Sequence, residues 1–386
     1  MTEFLFWFCG FIVVYNYFLY PAIVICWSKR ADENKFGQLQ SYSTDENLPK
    51  VSLIIAAYNE EQVIEKKIKN SLALDYPEDR FEIIIVSDGS DDETHNIAKS
   101  FKDEGVVAIH SPPREGKSSA LNRGVAQASG DIIVFSDANN DFSSSAIFEL
   151  IKFFKDDSIG GVCGLKHIYD SSDRESSEGD SLYWRYESAI KMAESKLGSI
   201  TTADGEIFAV RKALYSPIGK DVINDDAEIT FSLIKNNFRV IYEPKAVSSE
   251  LASIDVVDDY HVKVRMVAGG FQTIQRWKSH IFPPTSQFSW MFISHKILRW
   301  VVPEMLLLCL ICNLFLLDSF FYQLLFGLQV TFYTLAAYGW KIRSKVVMPF
   351  YIYIPFYFVV MNTAAFHGYF RHRSKQQTTN WRKAKR

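Results

Sequence analysis

The stretch DIIVFSDANNDF, residues 131–142, is an apolar run that stops abruptly in Asp137, Asn139, Asn140 and Asp141. A continuous run of this kind reads as a strand buried on both faces. Its oxygen-rich end has two readings. The plain one is a turn, because Asp and Asn favour turns. The other is a ligand site. Asp137 and Asn139 alternate along an extended segment, so their side chains can flank one ion or one phosphorylated ligand, and hard oxygen donors suit Mg2+ or Mn2+.

The same kind of run recurs upstream as VSLIIAA (51–57), EIIIV (82–86) and VVAIH (106–110). Between the first two, Asn59 opens an expected helix with Val63, Ile64, Ile68 and Leu72 at helical spacing. After the second, Ser90 and Glu93 have capping-box spacing ahead of a helix with Ile97, Ala98 and Phe101 on one face. Strand, helix, strand, helix predicts an α/β domain with a mainly parallel sheet and right-handed crossovers. Such sheets bind ligands beyond the C-terminal ends of their strands. Tyr58, Asn59 and Glu60 follow the first strand, Asp88 and Ser90 the second, and Asp137 and Asn139 the fourth. No GxGxxG turn follows the first strand and no GxxxxGK[ST] occurs, which argues against a dinucleotide dehydrogenase and a P-loop nucleotidase.

Two further stretches carry chemistry. In REGKSSALNRG (114–124), Gly116 frees the backbone while Arg114 and Lys117 offer charge to a phosphate; the plain alternative is a solvated basic loop. TTADGEIFAVRK (201–212) reads as a Gly-containing turn before a strand. In VINDDAEITFSLIKNNFRVIYEP (222–244), Asn224, Asp225 and Asp226 begin an amphipathic helix. Carboxylates at a helix N-terminus are favoured by the dipole, by about 0.3–1 kcal/mol. Capping and general-base chemistry both fit them.

Composition sets the surroundings. The 386 residues carry a formal net charge of −3, which gives no case for a nucleic-acid partner, and the 30 Phe and 19 Tyr suit a membrane protein or a large core. FLFWFCGFIVVYNYFLYPAIVICW (4–27) is uncharged and long enough to span a bilayer, which takes about 20 residues. SKR at 28–30 follows it, so the bulk of the chain is expected on the cytoplasmic side. Three more candidate spans lie near 297–317, 320–340 and 347–368. Pro349 and Pro355 make the last irregular, and its status stays open, because KIRSK (341–345) and the basic tail both ask for the cytoplasm. Cys309 and Cys312 have CxxC spacing inside an apolar run, where packing is the plain reading.

The expected division is an N-terminal transmembrane helix (1–30), a cytoplasmic α/β domain (48–250), interfacial helices (251–296), a C-terminal transmembrane region of two or three spans (297–368) and a basic tail (369–386). Arg276, Trp277, Lys278 and Trp290 are expected at headgroup depth on those interfacial helices. YDSSDRESSEGDS (169–181) reads as a surface loop or a helix lead-in.

The ordered set AAYNEE, VSDGSDDET, GKSSALNRG, SDAN and NDD resembles the membrane-bound, processive-type glycosyltransferases of family two, among them the cellulose, hyaluronan and poly-N-acetylglucosamine synthases. The resemblance implies a GT-A (Rossmann-like) nucleotide-sugar-binding fold on the cytoplasmic face of the cell membrane. It implies inverting transfer from a nucleotide sugar, commonly a UDP-sugar, to a polysaccharide or lipid-linked glycan. By that resemblance Ala56, Tyr58 and Glu60 line the nucleoside pocket, Asp88 contacts the base, and Lys117 and Arg265 meet the diphosphate. Asp137 and Asn139 hold the divalent metal, and Asp226, beside Asp225, is the catalytic base. Two departures stand out. An amide, Asn139, replaces the usual second carboxylate of DxD. Around Val262, Lys263, Arg265 and Met266 the family's QxxRW keeps only its arginine, while IQRW (274–277) has the wrong spacing. The missing tryptophan favours transfer of one or a few sugars over polymerisation. A polyprenyl-phosphate sugar transferase and a catalytically silent scaffold of an export complex are the alternatives.

Overall fold

The computed structural model describes residues 1–31, 41–43, 47–169, 178–252, 256–343 and 348–379. Most of the 169–181 loop, part of KIRSK and the last residues of the basic tail lie outside the described residues.

The four apolar runs are strands β1 (Val51–Ala57), β2 (Phe81–Ser87), β3 (Val106–His110) and β4 (Ile132–Asp137). They pair in parallel in the order β3-β2-β1-β4. Alternate side chains go to opposite faces of the sheet. Leu53 and Ile55 join Ile64 and Ile68 in one core, whereas Ile54 packs with Ile84, Leu121 and Phe135 in the other. Both cores are apolar, which is why the central strands read as unbroken apolar runs rather than alternating ones.

Beyond β4 the sheet becomes mixed. Strands β5 (Asp141–Phe142), β6 (Ile159–Tyr169), β7 (Ile207–Arg211) and β8 (Arg239–Leu251) complete the order β4-β7-β6-β8-β5. β7 runs antiparallel to β4, with Ser136 opposite Ile207. That reversal sets the residues just before β7 beside the C-terminal end of β4.

Two helix starts differ from the sequence expectation. The helix after β1 is Ile64–Leu72. Asn59 instead adopts a positive φ of 52° in the loop, and its N–H donates to Ser90 Oγ. Ser90 is therefore spent on the β1 loop. The following helix is Thr94–Ser100, and Asp92 accepts from the Thr94 N–H (3.0 Å). Local capping signals were outbid by contacts between two loops that lie side by side only once β1 and β2 have paired.

Among the described residues, three helices are long and apolar enough to cross a membrane: Thr2–Arg30, Gln287–Leu314 and Phe320–Ile342. Phe4, Phe11, Phe18 and Phe320 on them are each more than half exposed. Cys309 and Cys312 pack with Cys9, Phe6 and Tyr322. The segment with the two prolines forms one continuous helix, Phe350–Arg373, with Pro349 as N-cap and Pro355 inside. It packs along Val256–Arg276, with Tyr260 and His367 hydrogen-bonded (3.0 Å).

The junction between the long apolar helices and the α/β domain is built from side chains of both. Phe231, on the helix Asp225–Lys235, is 1% exposed. It meets Phe292 at 4.9 Å, Phe288 at 5.2 Å and Trp277 at 5.5 Å between ring centroids. Trp277 Nε1 donates to Glu228, and Arg276 pairs with Glu228 and Asp221. Trp290 packs on Tyr20 and Trp27.

Candidate active site

The register of the sheet builds the site. Ala56 at the end of β1 is the parallel partner of Asp137 at the end of β4. Beyond them lies a cleft of about 1320 Å³. Ala56, Tyr58, Glu60, Lys117, Asp137, Asn139, Asp225, Asp226 and Arg265 all line it. The Tyr58 ring carries the Arg114 guanidinium 3.7 Å from its centroid.

Within the stretch SDANND, alternation divides the labour. Asp137 and Asn139 face the cleft, while Asn140 is 1% exposed and turned inward. Asn140 Oδ1 accepts from Lys67 Nζ (2.8 Å) and Ser136 Oγ (2.9 Å), and its Nδ2 donates to Glu206 O and Ser248 Oγ. Asp141 pairs with Lys66. Lys67 is fully enclosed, and burial pushes its pKa down to about 7. This bracket fixes the turn that presents Asp137 and Asn139.

Asp88 has a different place from the cleft-lining residues. It is 4% exposed. One carboxylate oxygen accepts from Gly116 N (2.7 Å); the other accepts from Glu115 N (3.1 Å) and Arg123 (2.5 Å). Asp88 thus sits beneath the 114–117 loop and holds it. Gly116 takes φ +93°, a backbone that side chains rarely adopt. The helix Lys117–Gln127 starts there with its N-terminus toward the cleft, where the backbone dipole favours an anion.

Lys117 Nζ donates to Asp137 Oδ1 (2.6 Å) and lies 3.8 Å from Asp225. Burial disfavours its charge, but Asp137 and Asp225 outweigh burial and hold its pKa above the ordinary lysine value. Asp226 follows the opposite course. Burial first, then the neighbouring charge of Asp225, push its carboxyl up to about 7. Its Oδ1 accepts the Ala227 N–H at the first turn of Asp225–Lys235. Asp225 and Asp226 therefore lie at a helix N-terminus, as capping predicts, and also line the cleft.

Sequence reading missed several neighbours. Asp204 and Glu206 line the cleft because β7 is antiparallel to β4. Lys166 donates to Glu206 (2.5 Å) and Glu250 (2.7 Å), and burial raises the Glu206 carboxyl to about 7. Trp184 and Trp300 reach the site from the helices Glu178–Leu197 and Gln287–Leu314. The acid–Gly–acid triplet Asp204-Gly205-Glu206 ahead of a strand was the one local signal.

Among the described residues, no group of three or more His, Cys, Asp or Glu is arranged to hold a metal ion. The donor set at the end of β4 is one carboxylate, Asp137, and one amide oxygen, Asn139. Both are hard oxygens on the wall of one cleft, so they fit a divalent ion as a partial set that a ligand's phosphate oxygens complete.

A mixed sheet whose parallel half presents these residues at its C-terminal edge has the GT-A fold. Comparison with known proteins agrees. Residues 52–219 match the family model described as Glycosyl transferase family 2. The chain is 28% identical over 258 residues to the poly-beta-1,6-N-acetyl-D-glucosamine synthase of Staphylococcus epidermidis, covering 65% of this chain and 62% of that protein. It is 32% identical over 220 residues to a probable glycosyltransferase, YdaM, of Bacillus subtilis, covering 53% and 51%. The matched region thus spans less than two thirds of these relatives. The solved mannosyltransferase PcManGT from Pyrobaculum calidifontis, in complex with GDP-Man and Mn2+, shares the fold with a TM-score of 0.71 at 18% identity, over 96% of this chain and 99% of that one.

Proposed function

We propose that the protein is a membrane-bound inverting glycosyltransferase that moves a sugar from a nucleotide sugar to a glycan or lipid-linked acceptor. The observation that carries this reading is the convergence of Lys117, Asp137, Asn139 and Asp226 on one cleft at the C-terminal edge of the parallel strands. Ala56, Tyr58 and Glu60 form the nucleoside wall. Asp88 serves by fixing Gly116, and so the helix N-terminus and Lys117, in front of the diphosphate. SKR at 28–30, in the last turn of the first apolar helix, supports a cytoplasmic position for this domain.

The reaction breaks the bond between the anomeric carbon and the diphosphate. Lys117 and Arg265 stabilise the negative charge that grows on the leaving group, an effect that costs about 10²–10³ in rate when one such donor is lost. Asp137 and Asn139 would hold a divalent ion, Mg2+ or Mn2+, which supplies charge neutralisation to the diphosphate when bound. Asp226 accepts the proton of the acceptor hydroxyl as it attacks from the opposite face. A carboxylate with its pKa near the working pH is well matched to that task.

Full-length protein supplied with a panel of radiolabelled nucleotide sugars tests the reading. Release of nucleoside diphosphate that requires Asp226 supports it. No turnover with any donor, in protein that still binds a nucleotide, would leave the silent scaffold.

A further inference from the structure

The cleft does not end at Asp226. Its lining runs on to Tyr353, Tyr357, Phe358 and Met361 of the Phe350–Arg373 helix and to Tyr17 of the first membrane helix. Behind Asp226 lies a second, smaller cavity of about 130 Å³, walled by Trp184, Trp300 and Met266. Lys263 lines both spaces. The route from the reacting end therefore passes a cation and two indoles, then reaches the aromatic side of a helix packed among membrane helices.

The charges along this route do not balance. Glu187 accepts from Arg299, from Lys296 (3.3 Å) and from His295 (3.3 Å). Lys263 has no hydrogen-bond or ion-pair partner among the described residues. Its influential neighbours are Arg299 and Lys296, which repel it, and Glu187, already engaged by both. Burial, then those two cations, bring its pKa down to about 8, so it stays mainly protonated at pH 7. Glu194, the second carboxylate near Lys296, is itself taken up by Tyr20, Thr201 and His295, so Lys263 is left facing the cleft beside two cations, a place where a further anion is favoured. The diphosphate of the donor is already provided for at Lys117. The acceptor is the remaining candidate for that anion.

The base narrows the acceptor further. A phosphate monoester used as nucleophile is already ionised and needs no general base, whereas a sugar hydroxyl does. We infer that the acceptor is a membrane-borne lipid phosphate or diphosphate that already carries a sugar, with its phosphate at Lys263, Lys296 and Arg299 and its sugar hydroxyl at Asp226. This rests on the glycosyl-transfer reading above. The hydroxyl oxygen forms the new bond to the anomeric carbon, its proton goes to Asp226, and the electron pair of the broken bond leaves on the nucleoside diphosphate. The lipid tail lies along Tyr353, Tyr357 and Phe358.

Binding can be measured without turnover, which separates failure here from failure of the glycosyl-transfer reading. Farnesyl phosphate, farnesol and inorganic phosphate are titrated into full-length protein in nanodiscs of uncharged lipid. Farnesyl phosphate is expected to bind at least tenfold more tightly than either of the others. Lys263→Gln should erase that preference and Lys263→Arg should keep it, with nucleotide binding intact in both. Equal binding of farnesol, equal binding of inorganic phosphate, or an unchanged preference in Lys263→Gln overturns the anion site. A second arm offers farnesyl phosphate and farnesyl phosphate glucose as acceptors. Labelled sugar should enter the organic extract only with the glucose-bearing probe. Label on farnesyl phosphate itself, or none on either probe while the donor is still hydrolysed, overturns the hydroxyl-acceptor assignment.

Discussion

The ammonium of Lys117 lies 2.6 Å from Asp137 Oδ1, joining the start of one helix to the end of a strand 20 residues further along the chain. A lysine offers three donors, so this pairing aims the side chain without exhausting it. Lys117→Met is expected to raise the donor KM and to lower turnover by about 10²–10³. Steady-state release of nucleoside diphosphate checks it. Turnover within a few-fold of the parent would remove Lys117 from the leaving-group site.

Asp226→Asn keeps the shape of the side chain and removes its basicity. Turnover should fall by about 10²–10⁴ while nucleotide affinity holds, because general-base catalysis supplies that range. Calorimetric titration with the nucleoside diphosphate, beside the rate assay, separates loss of chemistry from loss of folding.

The pH dependence has a defined sign. The base works as carboxylate, so kcat/KM for the acceptor should rise with pH through about 7, the value to which burial and Asp225 push Asp226. Asp225→Asn removes one of those causes and should move the rising limb to lower pH. Stability moves the other way. A carboxyl with its pKa raised by folding contributes stability below its unfolded pKa and loses it as pH rises through about 7. Asp226→Asn should therefore raise Tm at pH 8 and leave it nearly unchanged at pH 4.

Chelation should abolish turnover, and Mg2+ or Mn2+ should restore it. Asn139→Asp adds a carboxylate to the same two-oxygen donor set and should lower the metal concentration needed for half-maximal rate. A titration of rate against free metal in both proteins reads this directly, and identical midpoints would remove Asn139 from the metal site.

Phe231 ties the α/β domain to the long apolar helices through Phe288, Phe292 and Trp277. Phe231→Ala should destabilise the protein by about 3–5 kcal/mol, the usual cost of deleting a buried aromatic ring. Unfolding of the detergent-solubilised chain measures it. A loss below about 1 kcal/mol would mean that the junction is held elsewhere.

The residues themselves determined the parallel half of the sheet, since the runs of β1, β2 and β4 are buried on both faces and can take few other arrangements. They also determined the polar rim and the membrane segments, because apolar length and strand ends are local properties. Ser90 and Asn59 show where local signals stop: each had a sound capping role in its own segment and was taken instead by the facing loop. Only the tertiary structure decided that Asp88 lies beneath the 114–117 loop, that antiparallel β7 brings Asp204 and Glu206 to the end of β4, and that Trp300 and Lys263 stand near Asp226. Those residues are far apart along the chain, and no periodicity links them. Their meeting depends on strand direction and on how the membrane helices dock against the sheet, which is fixed by packing over the whole molecule.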